Sequence, residues 1–257
     1  MKLKKIISVL IVFAVIILTY IPIYAQNTEY VWYVKRAGNK RPQLDKEQEI
    51  IYKYNACYID NTLTDESDVK KLYLTFDLGY VNDNTIKILN VLREENIPSA
   101  FFILDNVILK NTDIIQSLTD DGHIVCNHTK NHKNLSNSSK EEIAENLSRL
   151  EKLYEEKTGK VMSKYFRFPE GKYSEEALSA VCNLGYKTVF WSFAYDDWDN
   201  GRQPNPKKAI KKVLDNTHNG AIILLHPTSR TNAEILPYLI KEWRRMGYSF
   251  DTLDNLG

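Results

Sequence analysis

From residue 72 onward, apolar runs of strand length alternate with amphipathic helical stretches. The predicted strands cover residues 72–76, 99–104, 124–127, 165–168, 188–192 and 221–225, with a weaker one at 249–252. The predicted helices cover residues 84–95, 113–120, 140–157, 175–184, 206–216 and 233–246. Repeated strand–helix units imply a parallel sheet. The periodicity leaves open whether this sheet is an open doubly wound one or a closed barrel.

Polar side chains able to take part in chemistry follow the predicted strands at their carboxyl ends. In strand order they are Asp77, His128 with His132, Arg167, Asp196 with Asp197, and His226. Active sites of α/β proteins, and of barrels above all, lie at this end of the sheet. Side chains from separate strands are therefore expected to meet in one site. Each also has a simpler interpretation, as a turn cap or an ion-pair partner.

Of the five histidines of the chain, three are candidate site residues and two are not. His128 and His132 are four residues apart, so that both rings can share one face of a turn and hold a metal ion, with solvated or capping histidines as the alternative. His226 follows an apolar strand and is expected to point into the mouth of the sheet. His123 begins a strand and is interpreted as structural, and His218 is expected in a surface loop.

The first 25 residues differ from the rest of the chain. Three lysines precede an apolar run over residues 6–18, Pro22 breaks any helix after it, and Ala25 offers a small residue for cleavage. This anatomy predicts a signal peptide over residues 1–25, with an uncleaved membrane anchor as the alternative. In both cases the remaining chain is expected to be exported. Contact with the membrane is expected only through residues 1–25, if they are not cleaved.

Residues 26–70 are predicted to form an irregular N-terminal extension. Tyr30, Trp32 and Tyr33 make an aromatic cluster there, and charged and polar stretches follow it. Packing on the main domain is the expected role, and contact with substrate or wall is the alternative. The main domain is assigned to residues 71–257, without a second domain.

Composition and charge narrow the class of protein. Of the 257 residues, 43% are hydrophobic and 26% are charged, which is typical of a globular protein. Without its first 25 residues the chain has 31 basic and 33 acidic residues, so nucleic acid is not expected as a partner. Cys57, Cys126 and Cys182 match no zinc motif and are expected to be buried, inert thiols.

Five short motifs, taken in order, resemble those of the polysaccharide deacetylase family of carbohydrate esterases. The motifs are Thr75-Phe76-Asp77-Leu78-Gly79, His128-Thr129-Lys130-Asn131-His132, Arg167-Phe168-Pro169-Glu170-Gly171, Asp197-Trp198 and Leu224-Leu225-His226. The resemblance implies an α/β fold, a distorted (β/α) barrel of about seven parallel strands. It also implies a hydrolase that removes N-acetyl groups from a carbohydrate.

Within this family the chain is most similar to the muramic acid deacetylases of spore-forming bacteria. The shared features are the segment around Trp32-Tyr33, Tyr54-Asn55-Ala56, Val189-Phe190-Trp191-Ser192, Ser229-Arg230 and Asn232-Ala233-Glu234. The similarity implies action on N-acetylmuramic acid in peptidoglycan, on the way to the muramic δ-lactam of the spore cortex. Glycan strands of the wall or cortex are then the expected partner, and the protein is expected to be a monomer.

The resemblance assigns a role to each residue of the site. A divalent metal ion, with zinc expected, is held by His128 and His132, and polarises the acetyl carbonyl. Asp77 is the base that takes the proton of water and is a possible third ligand. Arg167 orients Asp77 and keeps it ionised. His226 protonates the departing amine, and Asp197 holds and tunes that imidazole.

Four further residues are expected to contact substrate: Glu170, Gly171, Trp198 and Arg230. The backbone N–H of Glu170 is a candidate donor to the oxyanion, and its side chain is a candidate substitute ligand. Arg230 is a candidate contact for the lactyl carboxyl group of muramic acid, with an ordinary surface charge as the alternative.

One position departs from the family pattern. The family carries a second aspartate before the glycine of the first motif, where it binds the metal, and this chain has Leu78. Weaker metal binding is therefore expected. Two other functions stay open: removal of acetyl groups from N-acetylglucosamine in peptidoglycan or chitin-like oligomers, and binding of wall glycan without catalysis.

Overall fold

The computed structural model describes residues 28–256, so the predicted signal peptide or anchor at 1–25 lies outside the described residues. The strands are β1 (Tyr30–Val31), β2 (Ala56–Cys57), β3 (Lys70–Leu78), β4 (Ser99–Ile103), β5 (Ile124–Asn127), β6 (Tyr165–Phe166), β7 (Lys172–Tyr173), β8 (Lys187–Val189), β9 (Ala221–Leu225) and β10 (Tyr248–Phe250). The α-helices are α1 (Asp83–Glu94), α2 (Asp105–Lys110), α3 (Thr112–Asp120), α4 (Lys140–Thr158), α5 (Glu175–Asn183), α6 (Pro206–Leu214) and α7 (Arg230–Arg245). Short 3-10 helices cover Lys46–Tyr54, Pro169–Gly171 and Leu253–Asn255.

Eight of the strands form one parallel sheet. Neighbours run in the order β10, β3, β4, β5, β6, β8, β2, and β9 also pairs with β3. Just beyond β8, Phe193 forms a parallel bridge with Ile223 of β9. The strands from β3 to β9 thereby return to β3 and enclose a barrel, closed on this side by an isolated bridge. The predicted distorted (β/α) barrel is confirmed.

Strand β3 is central to this barrel because both of its faces are buried. Leu74 and Phe76 face the outer layer, where they pack in one hydrophobic core with residues of α1 and α7. Tyr73 and Thr75 alternate with them and face the interior of the barrel. A parallel strand covered on both faces is expected to have a continuous apolar sequence, as this one has. The same alternation places Asp77 on the interior face, at the open end.

Two predicted strands end earlier than their apolar runs. The run over residues 165–168 is a strand only at Tyr165–Phe166, because Phe168 leads into a 3-10 turn whose first residue is Pro169. Proline fits the first position of such a turn and lacks the N–H that a strand ladder needs. Likewise β8 ends at Val189, and Phe193, four residues further on, forms a bridge with Ile223 of β9.

The N-terminal extension contains three short elements between irregular stretches. It carries β1, β2 and the 3-10 helix Lys46–Tyr54, and β2 joins the main sheet in parallel pairing with β8. Trp32 anchors this part of the chain: its ring stacks on Phe190 with centroids 4.3 Å apart, and its Nε1 donates to the carbonyl of Trp191 at 2.9 Å. The prediction that the extension packs on the barrel agrees with these contacts, and most of the segment is irregular, as predicted.

Two of the three cysteines match the prediction of buried thiols. Cys57 and Cys126 are buried, and burial raises the pKa of Cys57 to about 12. Cys182 is only partly buried on α5, so the prediction is wrong for that residue. Among residues 28–256, no helix is long and apolar enough to cross a membrane.

The two histidines assigned to structural or surface positions are both buried. His123 packs against the ring of Phe101, and burial lowers its pKa to about 4, as a structural residue allows. His218 is only 2% exposed, so its prediction as a surface loop residue is wrong. The turn before β9 folds inward: Nδ1 of His218 donates to the carbonyl of Asn216, and Nε2 accepts from the hydroxyl of Ser192 at 2.8 Å.

We expect Trp32→Ala to lower the free energy of unfolding by about 3–5 kcal/mol, the usual loss for a buried tryptophan. The neighbouring change Val31→Ala is the control, because Val31 is 54% exposed and its loss is expected to cost less than about 0.5 kcal/mol. Denaturant unfolding followed by fluorescence or circular dichroism measures both. Equal stabilities for the two variants would contradict the anchoring role of Trp32.

Candidate functional site

A cavity of about 700 Å³ opens at the carboxyl ends of the barrel strands. Asp77, His128, His132 and His226 all line it, so the structure brings together residues that the sequence places after separate strands. Arg167 and Asp197 do not line the cavity; each is completely buried behind one of the lining residues.

The carboxylate of Asp77 is held by the guanidinium of Arg167. Nη1 of Arg167 donates to Oδ1 of Asp77 at 2.8 Å, and Oδ2 of Asp77 lies 3.5 Å from Nε2 of His128. Burial acts to raise the pKa of Asp77, but the opposing charges of His128 and Arg167 outweigh it and lower the pKa. His128 is uncharged near neutral pH, so Arg167 is the cation that keeps Asp77 ionised there.

The guanidinium of Arg167 is held inside the barrel by hydrogen bonds to four residues. Besides Asp77, its guanidinium donates to the carbonyl of Val189 at 2.9 Å, to Oγ1 of Thr75 at 2.9 Å and to the carbonyl of Phe190 at 3.3 Å. Its Cζ atom lies 4.1 Å from the ring centroid of Phe102. A buried guanidinium needs this number of acceptors, because an unpaired buried charge is very costly.

The ring of His128 is oriented by the backbone. Its Nδ1 lies 2.9 Å from the carbonyl oxygen of Arg167, which can only accept, so Nδ1 carries the hydrogen and Nε2 keeps its lone pair. Burial lowers the pKa of His128 to about 4, so the ring is neutral near neutral pH. His132, exposed and in a left-handed backbone conformation, lies edge-on to it with ring centroids 5.1 Å apart.

His226 is paired with a buried carboxylate. Its Nδ1 lies 2.7 Å from Oδ1 of Asp197, and its backbone N–H donates to Oδ2 at 2.8 Å. Burial acts to lower the pKa of His226, but the charge and hydrogen bond of Asp197 outweigh burial and raise it. With Nδ1 engaged, Nε2 is the ring nitrogen left for the cavity. The pair has the arrangement of an imidazole acid or base tuned by a carboxylate.

Two further residues, Asn232 and Tyr195, fix the position of Asp197. The sequence predicted no role for either of them. Asn232, at the start of α7, donates to Oδ2 of Asp197 at 2.5 Å and to the carbonyl of His226 at 3.1 Å. Tyr195 in turn donates to the side-chain oxygen of Asn232. The sequence identifies Asn232 only as part of a shared motif, because nothing in it indicates that the first turn of α7 reaches Asp197.

The four residues predicted to contact substrate divide into two pairs. Glu170 and Trp198 line the cavity, and Trp198 is 61% exposed. Gly171 is buried next to the ring of Trp191 and the Cβ atom of Trp32, and Arg230 is exposed; neither lines the cavity. The structure instead places a residue of the extension, Arg36, in the cavity lining.

The residues fit a metal ion in part. Nε2 of His128 and Oδ2 of Asp77 are 3.5 Å apart, close to the separation of about 3.3 Å between two ligand atoms of one tetrahedral zinc ion. However, no group of three His, Cys, Asp or Glu side chains within residues 28–256 is arranged to hold a metal. Leu78, at the position of the family's ligating aspartate, is completely buried in the hydrophobic core.

Comparison with known proteins gives three clear similarities. The family model described as polysaccharide deacetylase matches residues 64–189. The peptidoglycan-N-acetylmuramic acid deacetylase PdaA of Bacillus subtilis (strain 168) is 37% identical over 232 residues, covering 90% of this chain and 86% of that protein. The structure of Bacillus subtilis PdaA, a family 4 carbohydrate esterase, has a TM-score of 0.83 at 36% identity and covers 90% of this chain and 97% of that chain.

A further structure, a family 4 carbohydrate esterase from Bacillus anthracis, has a TM-score of 0.73 at 33% identity. It covers 90% of this chain and 96% of that chain. These alignments include the N-terminal extension as well as the barrel, since both cover nine-tenths of the chain.

We expect His128 and His226 to titrate on opposite sides of the ordinary pKa of histidine. In metal-free protein, NMR of the imidazole C–H signals should give His128 a pKa of about 4 and His226 a pKa above 6.5. Asp197→Asn should lower the pKa of His226, because it removes the charge that stabilises the imidazolium.

His218 is the internal control for this experiment. It is buried, its pKa is lowered to about 4, and it does not contact Asp197. Its titration should be the same in the wild type and in Asp197→Asn. An unchanged pKa for His226 in the variant would show that Asp197 does not tune it.

Proposed function

Because this chain belongs to the polysaccharide deacetylase family, we propose that it removes N-acetyl groups from N-acetylmuramic acid in peptidoglycan. Family membership makes it a carbohydrate deacetylase, in agreement with the enzyme class expected from the motifs. The substrate follows the similarity to PdaA, a peptidoglycan-N-acetylmuramic acid deacetylase. An extracellular or wall-associated location follows from the same similarity, and a role in forming the δ-lactam of the spore cortex is part of this proposal.

The proposal rests on one observation: Asp77, a candidate base, and His226, a candidate acid, line the same cavity. Asp77 lies near the end of β3 and His226 follows β9, and these strands pair over five residues up to Phe76 and Leu225, so the sheet sets their spacing. Asp77 is held as a carboxylate by Arg167, and His226 is held toward its protonated form by Asp197. Amide hydrolysis needs both, because water must lose a proton and the departing amine must gain one.

Each residue then has a defined part in the reaction. Oδ1 of Asp77 is occupied by Arg167, which leaves Oδ2 to take the proton of the attacking water. His226 delivers a proton from Nε2 to the departing nitrogen, and Asp197 stabilises the imidazolium beforehand. The backbone N–H of Glu170, whose left-handed turn borders the cavity, is the proposed donor to the oxyanion.

His128 and His132 are the proposed ligands of a divalent metal ion, with zinc the expected one. Members of the family are generally metal-dependent, and the ion would supply Lewis-acid polarisation of the acetyl carbonyl. The neutral ring of His128, with Nδ1 held by the Arg167 carbonyl, has the protonation state and second hydrogen bond typical of a ligand. Leu78 supplies no ligand atom, so we expect weak binding.

Mass spectrometry of acetyl release from peptidoglycan glycan tests the substrate. Purified protein should remove acetyl groups from muramic acid residues, and Asp77→Asn should lower kcat at least about a hundredfold because the base is lost. Asp113→Asn, an exposed aspartate in the first turn of α3, is the matched control and should retain activity. Release from N-acetylglucosamine alone would overturn the muramic assignment, and glycan binding without release would identify a non-catalytic binder.

The two histidine roles can be separated by measuring metal binding and activity together. We expect His132→Gln to lose both Zn²⁺ binding and acetyl release, because it removes a proposed ligand. His226→Gln should keep Zn²⁺ binding and lose acetyl release at least about a hundredfold, because it removes only the acid. Isothermal titration calorimetry on chelator-treated protein measures binding. Undiminished Zn²⁺ affinity in His132→Gln would exclude this residue as a ligand.

A further inference from the structure

One basic and three acidic side chains line the cavity. Arg36 is the one arginine or lysine that lines it within the described part of the chain, and it comes from the N-terminal extension rather than from a barrel strand. The acidic residues of the lining are Asp77, Glu170 and Asp196. Asp77 is neutralised by Arg167, and Glu170 by Lys172 at 2.6 Å.

The guanidinium of Arg36 is largely unengaged. Its Nη2 donates to the carbonyl of Ala194 at 3.2 Å, and its Cζ lies 5.8 Å from the ring centroid of Phe193. Within residues 28–256 it forms no ion pair with a carboxylate. A guanidinium offers five N–H donors in a planar fork and is always charged, so four donors are available to a ligand.

The backbone on both sides of Arg36 is fixed. Before it, the backbone N–H of Trp32 donates to the carbonyl of Gly171 at 2.8 Å, and the Trp32 ring is buried. After it, the side-chain amide of Asn39 donates to the carbonyls of Leu214 and Thr217 at 2.7 and 3.0 Å. The extension therefore holds the guanidinium of Arg36 at the cavity. Packing on the barrel alone would not require a cation at this position.

Muramic acid offers a group that this cation matches. It is a glucosamine whose O3 carries a lactyl ether ending in a carboxyl group, and O3 is adjacent to the carbon that bears the acetamide. A substrate with its acetamide between Asp77 and His226 thus brings a carboxylate into the same cavity. An arginine fork binds carboxylates in a bidentate manner.

We propose that Arg36 binds the lactyl carboxylate and is the residue that makes this enzyme prefer N-acetylmuramic acid over N-acetylglucosamine. This inference rests on the proposed function. It replaces Arg230 in the specificity role, because Arg230 does not line the cavity.

The test compares two forms of one substrate, a muramyl glycan with the lactyl group as free acid or as carboxamide. For the wild type we expect kcat/KM to be about fivefold higher for the acid, the size of a partly screened ion pair. In Arg36→Gln this ratio should fall to about one, and in Arg36→Lys it should be intermediate. A structural defect would lower both rates together and leave the ratio unchanged.

Lys35→Gln is the matched control, because it removes the same charge one residue away. Lys35 is exposed, pairs with Asp45 and does not line the cavity, so its loss should keep the ratio of the wild type. A ratio near one in the wild type, or a wild-type ratio in Arg36→Gln, would overturn the assignment of Arg36. Failure to deacetylate either muramyl form, with release from glucosamine oligomers, would overturn the proposed function itself and this inference with it.

Discussion

The buried guanidinium of Arg167 is the interaction on which the rest of the site depends. It joins β3, β6 and the chain after β8 through its bonds to Asp77, Thr75, Val189 and Phe190. Its own backbone carbonyl orients the ring of His128. Arg167 thus keeps the proposed base, Asp77, ionised and sets the tautomer of the proposed ligand His128. The barrel interior provides the acceptors that make a buried charge tolerable.

His226, the proposed acid, is held by a different hydrogen-bond network. Asp197, Asn232 and Tyr195 form a chain of buried hydrogen bonds that ends at His226. The two networks end on separate residues, since Arg167 binds Asp77 of β3 whereas Asp197 binds His226, which follows β9. This separation allows a carboxylate whose pKa is lowered and an imidazole whose pKa is raised to face one substrate, the arrangement that acid–base catalysis requires.

Much of the barrel and its main site residues could be predicted from the sequence, because both follow from local patterns. Alternation of apolar strands with amphipathic helices implies a parallel sheet, and polar residues at strand ends then have a common location. Asp77, Arg167 and His226 are of this kind. Arg36, Asn232 and the buried position of His218 could not be predicted, because each depends on where a distant segment packs. The early end of the run at 165–168 required knowing that the chain turns at Pro169.

The isolated bridge between Phe193 and Ile223 has a consequence for the carboxylate of Asp197. This seam, between the chain just beyond β8 and β9, is joined by a single residue pair, as is the boundary between β5 and β6. Asp197 stands on one side of it, and its carboxylate binds the backbone and ring of His226 on the other side. The two carboxylate oxygens that raise the pKa of His226 and hold its backbone therefore also join the two sides of the barrel wall at this boundary.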